Sequence, residues 1–250
     1  MLLSKEKIKE ALEYYSIKDI DYYEKCNRCI DETNNNKKIY DKTNEIYEIL
    51  YIDKTEKFRE LWKEKDINIL FGENVNPFIT NVLLLCGFEY HKENISKYNF
   101  DNEQIKIQKQ RVKECLLNDI INKHYDGIRI SQMLWGTYFI NARLIECGRL
   151  QFEPTTNNNV KIHIPAGKKL DIEKVKDSLL NSKELLKKYY NIENPKYICE
   201  SWLLSKEIST MLDEKSNIKK FQELFEIHLH QVSNFLLKRD PAYCPDKPFP

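Results

Sequence analysis

In the first 146 residues, apolar positions recur every three or four residues, which is the spacing of one face of an α-helix. The clearest examples lie around residues 8–15, 46–50, 58–62, 78–86, 112–120 and 133–144. Ser4 precedes the first of them and is a suitable N-cap, and Gly87 can end the fourth. The pattern contains no convincing strand and predicts a helical N-terminal domain over residues 1–146.

From Gly148 onwards the period changes to two, which is the spacing of a half-buried strand. Strand character is found over residues 149–153, 160–164, 197–202 and 221–229, and helical character over 170–190 and 205–212. An Asn-rich stretch between the first two strands predicts a hairpin. The order β-β-α-β-α-β predicts an α+β domain over residues 147–238, with helices packed on a small mixed sheet. Residues 239–250 contain four prolines and are predicted to form an extended tail.

Composition and charge narrow the classes of protein to which the chain can belong. Forty basic and 39 acidic residues give a formal net charge of +1, without the basic block that is typical of nucleic-acid binding. No stretch approaches the roughly 20 apolar residues that a membrane span needs, and the N-terminus lacks the pattern of a secretion signal. We therefore expect a cytoplasmic protein that binds neither nucleic acid nor a membrane.

The cysteines and histidines do not predict a disulfide framework or a metal site. Seven cysteines are an odd number, scattered through a chain with cytoplasmic character. Cys26 and Cys29 form the only C-x-x-C pair, and a zinc site would need a second pair or two nearby histidines. His228 and His230 share one face of the last predicted strand, but a third ligand is not evident.

The second half of the chain contains four short sequence strings whose order and spacing are informative. They are G-R-L-Q-F-E at 148–153, I-H-I-P-A-G at 162–167, C-E-S-W-L-L at 199–204, and S-N-I followed by F-Q within 216–222. In this order and spacing the chain resembles, over roughly residues 60 to 230, a two-domain acyltransferase family common in anaerobic bacteria. That family joins an N-acyltransferase N-terminal domain to a C-terminal domain of GNAT (acetyltransferase) type.

The resemblance implies an acyl-CoA-dependent transferase. Its co-substrate would be acetyl-CoA or a longer acyl-CoA, its acceptor an amine of a small molecule or peptide, and its chemistry direct transfer without a metal. The usual GNAT pyrophosphate motif, Q/R-x-x-G-x-G/A, is absent from the chain. This absence favours an alternative, a non-catalytic GNAT-like module for binding or protein interaction.

The turn after the second predicted strand is the candidate site for the CoA pyrophosphate. It combines small residues, two lysines and the start of a helix, whose free N–H groups attract anions, and it consists of Ile164, Pro165, Ala166, Gly167, Lys168 and Lys169. An ordinary turn between a strand and a helix, with solvated lysines, fits the same pattern equally well.

Glu200 and His163 are the candidate catalytic bases. Strand alternation places Glu200 on the face of Ile198 and Trp202, where desolvation would raise the pKa of its carboxyl group towards the range of a general base. The alternative is that Glu200 pairs with a basic residue, Arg149 or Lys161, on a neighbouring strand.

A further set of side chains could line a substrate groove: Arg149, Gln151, Glu153 and Trp202. For the three on the first strand, cross-strand charge pairing is the alternative, and for Trp202 the alternative is a place in the core.

Overall fold

The computed structural model describes residues 4–52, 56–121, 126–167 and 169–225. The chain divides into two compact units, the first ending at Glu146 and the second beginning at Cys147. In the described parts, no helix is both long enough and apolar enough to cross a membrane.

The first unit is built of helices around one buried helix. Its elements are α1 (Lys5–Tyr14), α2 (Ile20–Asn34), α3 (Lys37–Tyr51), α4 (Glu56–Leu61), α5 (Ile67–Phe71), α6 (Ile79–Cys86), α7 (Phe88–Lys97), α8 (Asn102–Ile121) and α9 (Ile130–Ile140). Every residue of α6 is buried, and α1, α2, α3, α7 and α9 pack around it. Ser4 caps α1 as the sequence predicts, because its side chain accepts a hydrogen bond from the N–H of Lys7.

The second unit carries a small mixed sheet, so the predicted α+β class is confirmed. Its elements are β1 (Ile145–Cys147), β2 (Leu150–Pro154), β3 (Asn159–His163), α10 (Ile172–Tyr190), β4 (Lys196–Ile198), a 3-10 turn (Trp202–Leu204), α11 (Lys206–Met211) and α12 (Asn217–Gln222). The strand order is β1-β2-β3-β4, with β2 and β3 antiparallel and β3 and β4 parallel. Strand β1 already begins at Ile145, so the prediction that no strand precedes residue 147 is wrong at that point.

The predicted hairpin of β2 and β3 turns at an asparagine pair. Asn157 and Asn158 both adopt left-handed backbone conformations, with φ of 59° and 60°. Asparagine tolerates this conformation better than most residues that carry a Cβ atom. The turn therefore sets the register in which Phe152 lies opposite Ile162.

One face of this sheet forms the core of the second unit with α10. The core face carries the buried side chains of Leu150, Phe152, Val160 and Ile162. Tyr197 of β4 lies on the same face, because its ring contacts Phe152 and its hydroxyl lies 2.6 Å from Ser182 Oγ on α10. The opposite face therefore carries the alternate, polar side chains of β2 and β3.

Two predicted strands differ from the structure. The third ends at Ile198 instead of Trp202, because the Ser201 side chain caps a 3-10 turn that begins at Trp202. Phe221 and Gln222, predicted to begin a fourth strand, belong instead to α12, which Ser216 caps. Residues 223–225 form a turn, and the rest of that predicted strand and the proline-rich tail lie outside the described residues.

Candidate functional site

The polar face of the β2–β3 hairpin brings four predicted site or flanking residues together. Gln151 of β2 lies opposite His163 of β3, and Glu153 lies opposite Lys161. Directly opposed residues point to the same side of a sheet, and residues two apart on one strand share that side. These four side chains therefore share the face of the sheet that lies opposite α10.

Within this group, Glu153 and His163 form a close diagonal pair. Nε2 of His163 lies 3.0 Å from Oε2 of Glu153. The Glu153 side chain is only 7% exposed and that of His163 is 27% exposed. Since a carboxylate has acceptor oxygens only, the hydrogen bond of the pair is donated by Nε2–H of His163 to Glu153. A histidine oriented in this way by a carboxylate can accept a proton from a substrate.

Both members of this pair are residues that the sequence analysis selected. Cross-strand pairing was the stated alternative for Glu153, and the structure confirms it. The partner, however, is His163 on the diagonal and not the directly opposed Lys161. Diagonal neighbours are close enough for long side chains to meet, and the hairpin register decides which of them do so.

Glu200 lies in surroundings unlike those predicted. Its side chain is 69% exposed, and its carboxylate accepts a hydrogen bond from Lys161 Nζ at 2.8 Å. Its supposed apolar neighbours Ile198 and Trp202 are themselves 36% and 49% exposed. The predicted burial of Glu200 is therefore wrong, and the alternative of an ion pair with Lys161 is confirmed. For the same reason Trp202 is not a core residue.

Cys199, beside Glu200, carries a thiol that the sequence analysis did not consider. Burial, and to a smaller extent the neighbouring Glu200 carboxylate, raise the pKa of this thiol to about 12. The thiol therefore stays protonated at neutral pH, and a protonated thiol is a poor nucleophile.

The turn that follows β3 is open to solvent at its centre. Ala166, Gly167 and Lys169 are exposed, Ile164 and Pro165 are half-buried, and Lys168 lies outside the described residues. Gly167 adopts a φ of 95°, a conformation that favours glycine.

The helix after this turn does not offer its first N–H groups to a phosphate. Oδ1 of Asp171 accepts hydrogen bonds from the N–H groups of Glu173 and Lys174, at 3.0 and 3.2 Å. This N-cap fills the anion site of the helix with a carboxylate of the chain itself. The start of the helix is therefore already capped by the chain itself, and the turn is the part of this segment that stays the candidate phosphate site.

Arg149 fastens the end of the turn to the sheet. Its Nε donates a hydrogen bond to the carbonyl oxygen of Lys169 at 3.1 Å, and its backbone N–H donates to Ser178 Oγ of α10 at 2.7 Å. Arg149 is 7% exposed, so this anchor is buried. The residue before it, Gly148, has a φ of 62°, and a Cβ atom there would lie 2.6 Å from Ser178 Oγ. Both features explain a glycine and an arginine at the start of the G-R-L-Q-F-E string.

Gly148→Ala is expected to destabilise the protein more than Gly167→Ala does, by about 1 kcal/mol. Both changes force a left-handed conformation on alanine, at a cost of about 1–3 kcal/mol each. Only at Gly148 does the added Cβ also push Ser178 Oγ away from the Arg149 N–H, whereas the space around Gly167 is open. Urea unfolding followed by circular dichroism measures both; equal losses would show that the Ser178 contact carries no weight.

Metal ligands do not cluster in the parts of the chain that the structure describes. There, no three side chains of His, Cys, Asp or Glu are placed to hold an ion together. The predicted histidine pair, His228 and His230, lies outside those parts.

Comparison with known proteins identifies the second unit. Residues 144–240 match the family model of the GNAT-like C-terminal domain, which confirms the resemblance carried by the four strings. No curated protein sequence matches the chain.

Solved structures of acyltransferases share the fold. A mutant acyltransferase in complex with octanoyl-CoA is similar with a TM-score of 0.67 at 14% identity, over 92% of this chain and 72% of the other. An acyltransferase in complex with decanoyl-CoA gives 0.60 at 14% identity, over 89% and 70%. An acyltransferase with decanoyl-CoA and teicoplanin gives 0.55 at 17% identity, over 64% of this chain and 51% of that one. In this last match the chain corresponds to about half the length of its structural relative.

Proposed function

We propose that this protein transfers an acyl group from acyl-CoA directly to an amine, a proposal that the match of residues 144–240 to the GNAT-like C-terminal family model supports. The observation that carries the proposal is the pair of Glu153 and His163 on the polar face of the sheet, 3.0 Å apart and with the carboxylate buried. The acyltransferases of similar fold that were solved with octanoyl-CoA and decanoyl-CoA support a medium-length acyl chain. The one solved with teicoplanin supports a small-molecule or peptide-like acceptor.

In this proposal His163 is the general base. The amine nitrogen attacks the thioester carbonyl carbon, a C–N bond forms, the C–S bond breaks, and CoA leaves as a thiolate. The proton that the nitrogen loses passes to Nδ1 of His163 and then to the sulfur. Glu153 holds the imidazole through Nε2 and so fixes the orientation of the ring towards the substrate.

Direct transfer fits the neighbouring side chains better than an acyl-enzyme does. The Cys199 thiol is held protonated, because burial raises its pKa to about 12. Glu200 remains the second candidate base, but its exposure and its ion pair with Lys161 give it no special environment. Gln151 and Trp202 complete the proposed acceptor side, and Arg149 contributes by holding the turn.

The turn of residues 164–169 is the proposed contact for the CoA pyrophosphate. Its exposed backbone at Ala166 and Gly167 can approach a phosphate closely, and Lys169 adds a positive charge. Since Asp171 occupies the helix N-cap, the lysines and not the helix would supply the attraction.

Lys169→Glu is expected to weaken acyl-CoA binding by on the order of tenfold at low ionic strength, because it replaces attraction by repulsion of the phosphates. The loss should shrink as salt is added, since the side chain is exposed. Lys183→Glu, an exposed position on α10, makes the same change of charge away from the turn and serves as the control. Isothermal titration calorimetry measures both, and equal affinities for the two variants would remove the turn from the site.

Acyl-CoA binding and thiol release test the function as a whole. The protein is titrated with acetyl-, octanoyl- and decanoyl-CoA, and release of free CoA thiol is followed with a panel of amines. Binding with amine-dependent release supports the transferase. Binding without release favours the alternative of a non-catalytic GNAT-like module, and the absence of binding contradicts the proposal.

A further inference from the structure

Two lysine ammonium groups of the first unit lie over one tyrosine ring. Lys109 Nζ is 3.8 Å from the centroid of the Tyr14 ring, and Lys92 Nζ is 5.3 Å from the same centroid. Lys92 Nζ also lies 4.5 Å from the centroid of Phe88. Tyr14 ends α1, Lys92 lies on α7 and Lys109 on α8, so three helices hold the two charges in place. We call these three residues the lysine pair and its ring.

No carboxylate of the described residues forms an ion pair with either lysine. Two lysines of α1 do have such partners: Lys5 pairs with Asp31 at 2.7 Å and Lys7 with Glu89 of α7 at 2.8 Å. The charges of the whole chain nearly balance, at 40 basic and 39 acidic residues. The two ammonium groups at the Tyr14 ring therefore place two positive charges side by side that no carboxylate of the described residues neutralises by an ion pair.

The two ammonium groups repel each other in the free protein. Burial, and then the charge of Lys92, lower the pKa of Lys109. His91 adds no further positive charge: it is fully buried, its Nδ1 lies 3.0 Å from the Tyr15 hydroxyl, and burial followed by the charge of Lys109 lowers its pKa to about 3. An anion bound to both lysines would reduce the electrostatic repulsion between their ammonium groups.

We propose that the lysine pair and its ring form a binding site for a phosphate monoester. Two ammonium groups match the two negative charges of such a group at neutral pH. The ring contacts hold the lysine side chains in advance, so less conformational entropy is lost on binding. The ester is either part of a free metabolite or the headgroup of a lipid such as phosphatidic acid. The site lies wholly in the first unit and is independent of the proposed transferase chemistry.

The test compares a double variant, Lys92→Gln with Lys109→Gln, with the single control variant Lys97→Gln. Glutamine keeps side-chain length and helix propensity while removing the charge. Lys97 also lies on α7 over a single tyrosine ring, that of Tyr98 at 5.4 Å, so the control removes one comparable cation–π contact. Glycerol 3-phosphate is titrated into the full chain by calorimetry at constant ionic strength, and vesicles of phosphatidylcholine with and without phosphatidic acid are tested by co-sedimentation.

We expect the wild type and the control to bind alike, and the double variant to bind at least about tenfold more weakly. Binding of glycerol 3-phosphate would identify a free ester as the ligand. Binding only of vesicles that contain phosphatidic acid would identify a lipid headgroup. A wild type that binds neither probe, or a folded double variant that binds as well as the wild type, would overturn the proposal. So would an equal loss in the control, which would indicate unspecific attraction by surface charge.

Discussion

His163→Gln is expected to lower the turnover of acyl transfer by about a hundredfold or more, with acyl-CoA binding nearly unchanged. Glutamine can still donate a hydrogen bond to Glu153, but it cannot accept a proton at neutral pH. The loss of a base therefore affects the chemical step, while the proposed phosphate contacts at residues 164–169 stay intact. Release of CoA thiol under saturating acyl-CoA measures turnover, and calorimetry measures affinity.

Two companion variants make this experiment specific. Glu153→Gln keeps the size of the side chain but removes the charge that holds the imidazole, so a smaller loss of turnover is expected from it. Glu200→Gln changes an exposed carboxylate that is paired with Lys161, and near wild-type turnover is expected. If Glu200→Gln costs more than His163→Gln, the base is Glu200 and the proposed role of His163 is wrong. Circular dichroism shows first that each variant is folded.

The helical first unit is expected to lose about 4–5 kcal/mol of stability between pH 7 and pH 3 through His91 alone. Burial lowers the pKa of His91 from its ordinary 6.5 to about 3 in the folded chain. At a pH between these two values, His91 is protonated in the unfolded chain and neutral in the folded chain. The contribution is therefore fully present above pH 6.5 and is lost as the pH falls, at about 1.4 kcal/mol per pH unit.

Urea unfolding at a series of pH values measures this loss. In His91→Gln, the free energy of unfolding should depend less steeply on pH between pH 6 and pH 4. The difference from the wild type should correspond to close to one proton taken up on unfolding, whatever the stability of the variant at neutral pH. If His91→Gln and the wild type respond to pH identically, the acid sensitivity of the protein arises from other groups.

The local pattern of the sequence determined most of the elements. A period of three to four residues suffices for helices such as α1 and α10, because burial of one face repeats with the helical turn. Alternation over β2 and β3, interrupted by asparagines that accept a positive φ, suffices for the hairpin. Each of these signals is contained in one short stretch of the chain, so it can be recognised without knowledge of the tertiary structure.

Where the alternation of apolar and polar residues predicts a strand wrongly, a short polar side chain that caps a helical turn determines the structure. The apolar and polar alternation continues past Ile198, yet the cap formed by Ser201 ends the strand and exposes Glu200. Ser216 likewise begins a helix at the point where Phe221 predicted a strand. A capping hydrogen bond competes with strand pairing, and which one prevails depends on whether a neighbouring strand is available.

The candidate site, too, follows in part from the sequence and in part only from the tertiary structure. The sequence by itself selected His163 and Glu153 as polar residues of a predicted hairpin and associated the chain, through its resemblance, with acyl-CoA chemistry. Only the tertiary structure decided that the two side chains meet, since the hairpin register sets their diagonal contact. The lysine pair and its ring depend on contacts of α1 with α7 and α8, which lie far from α1 in the chain. Contacts between distant residues follow from packing, and no local period of the sequence records them.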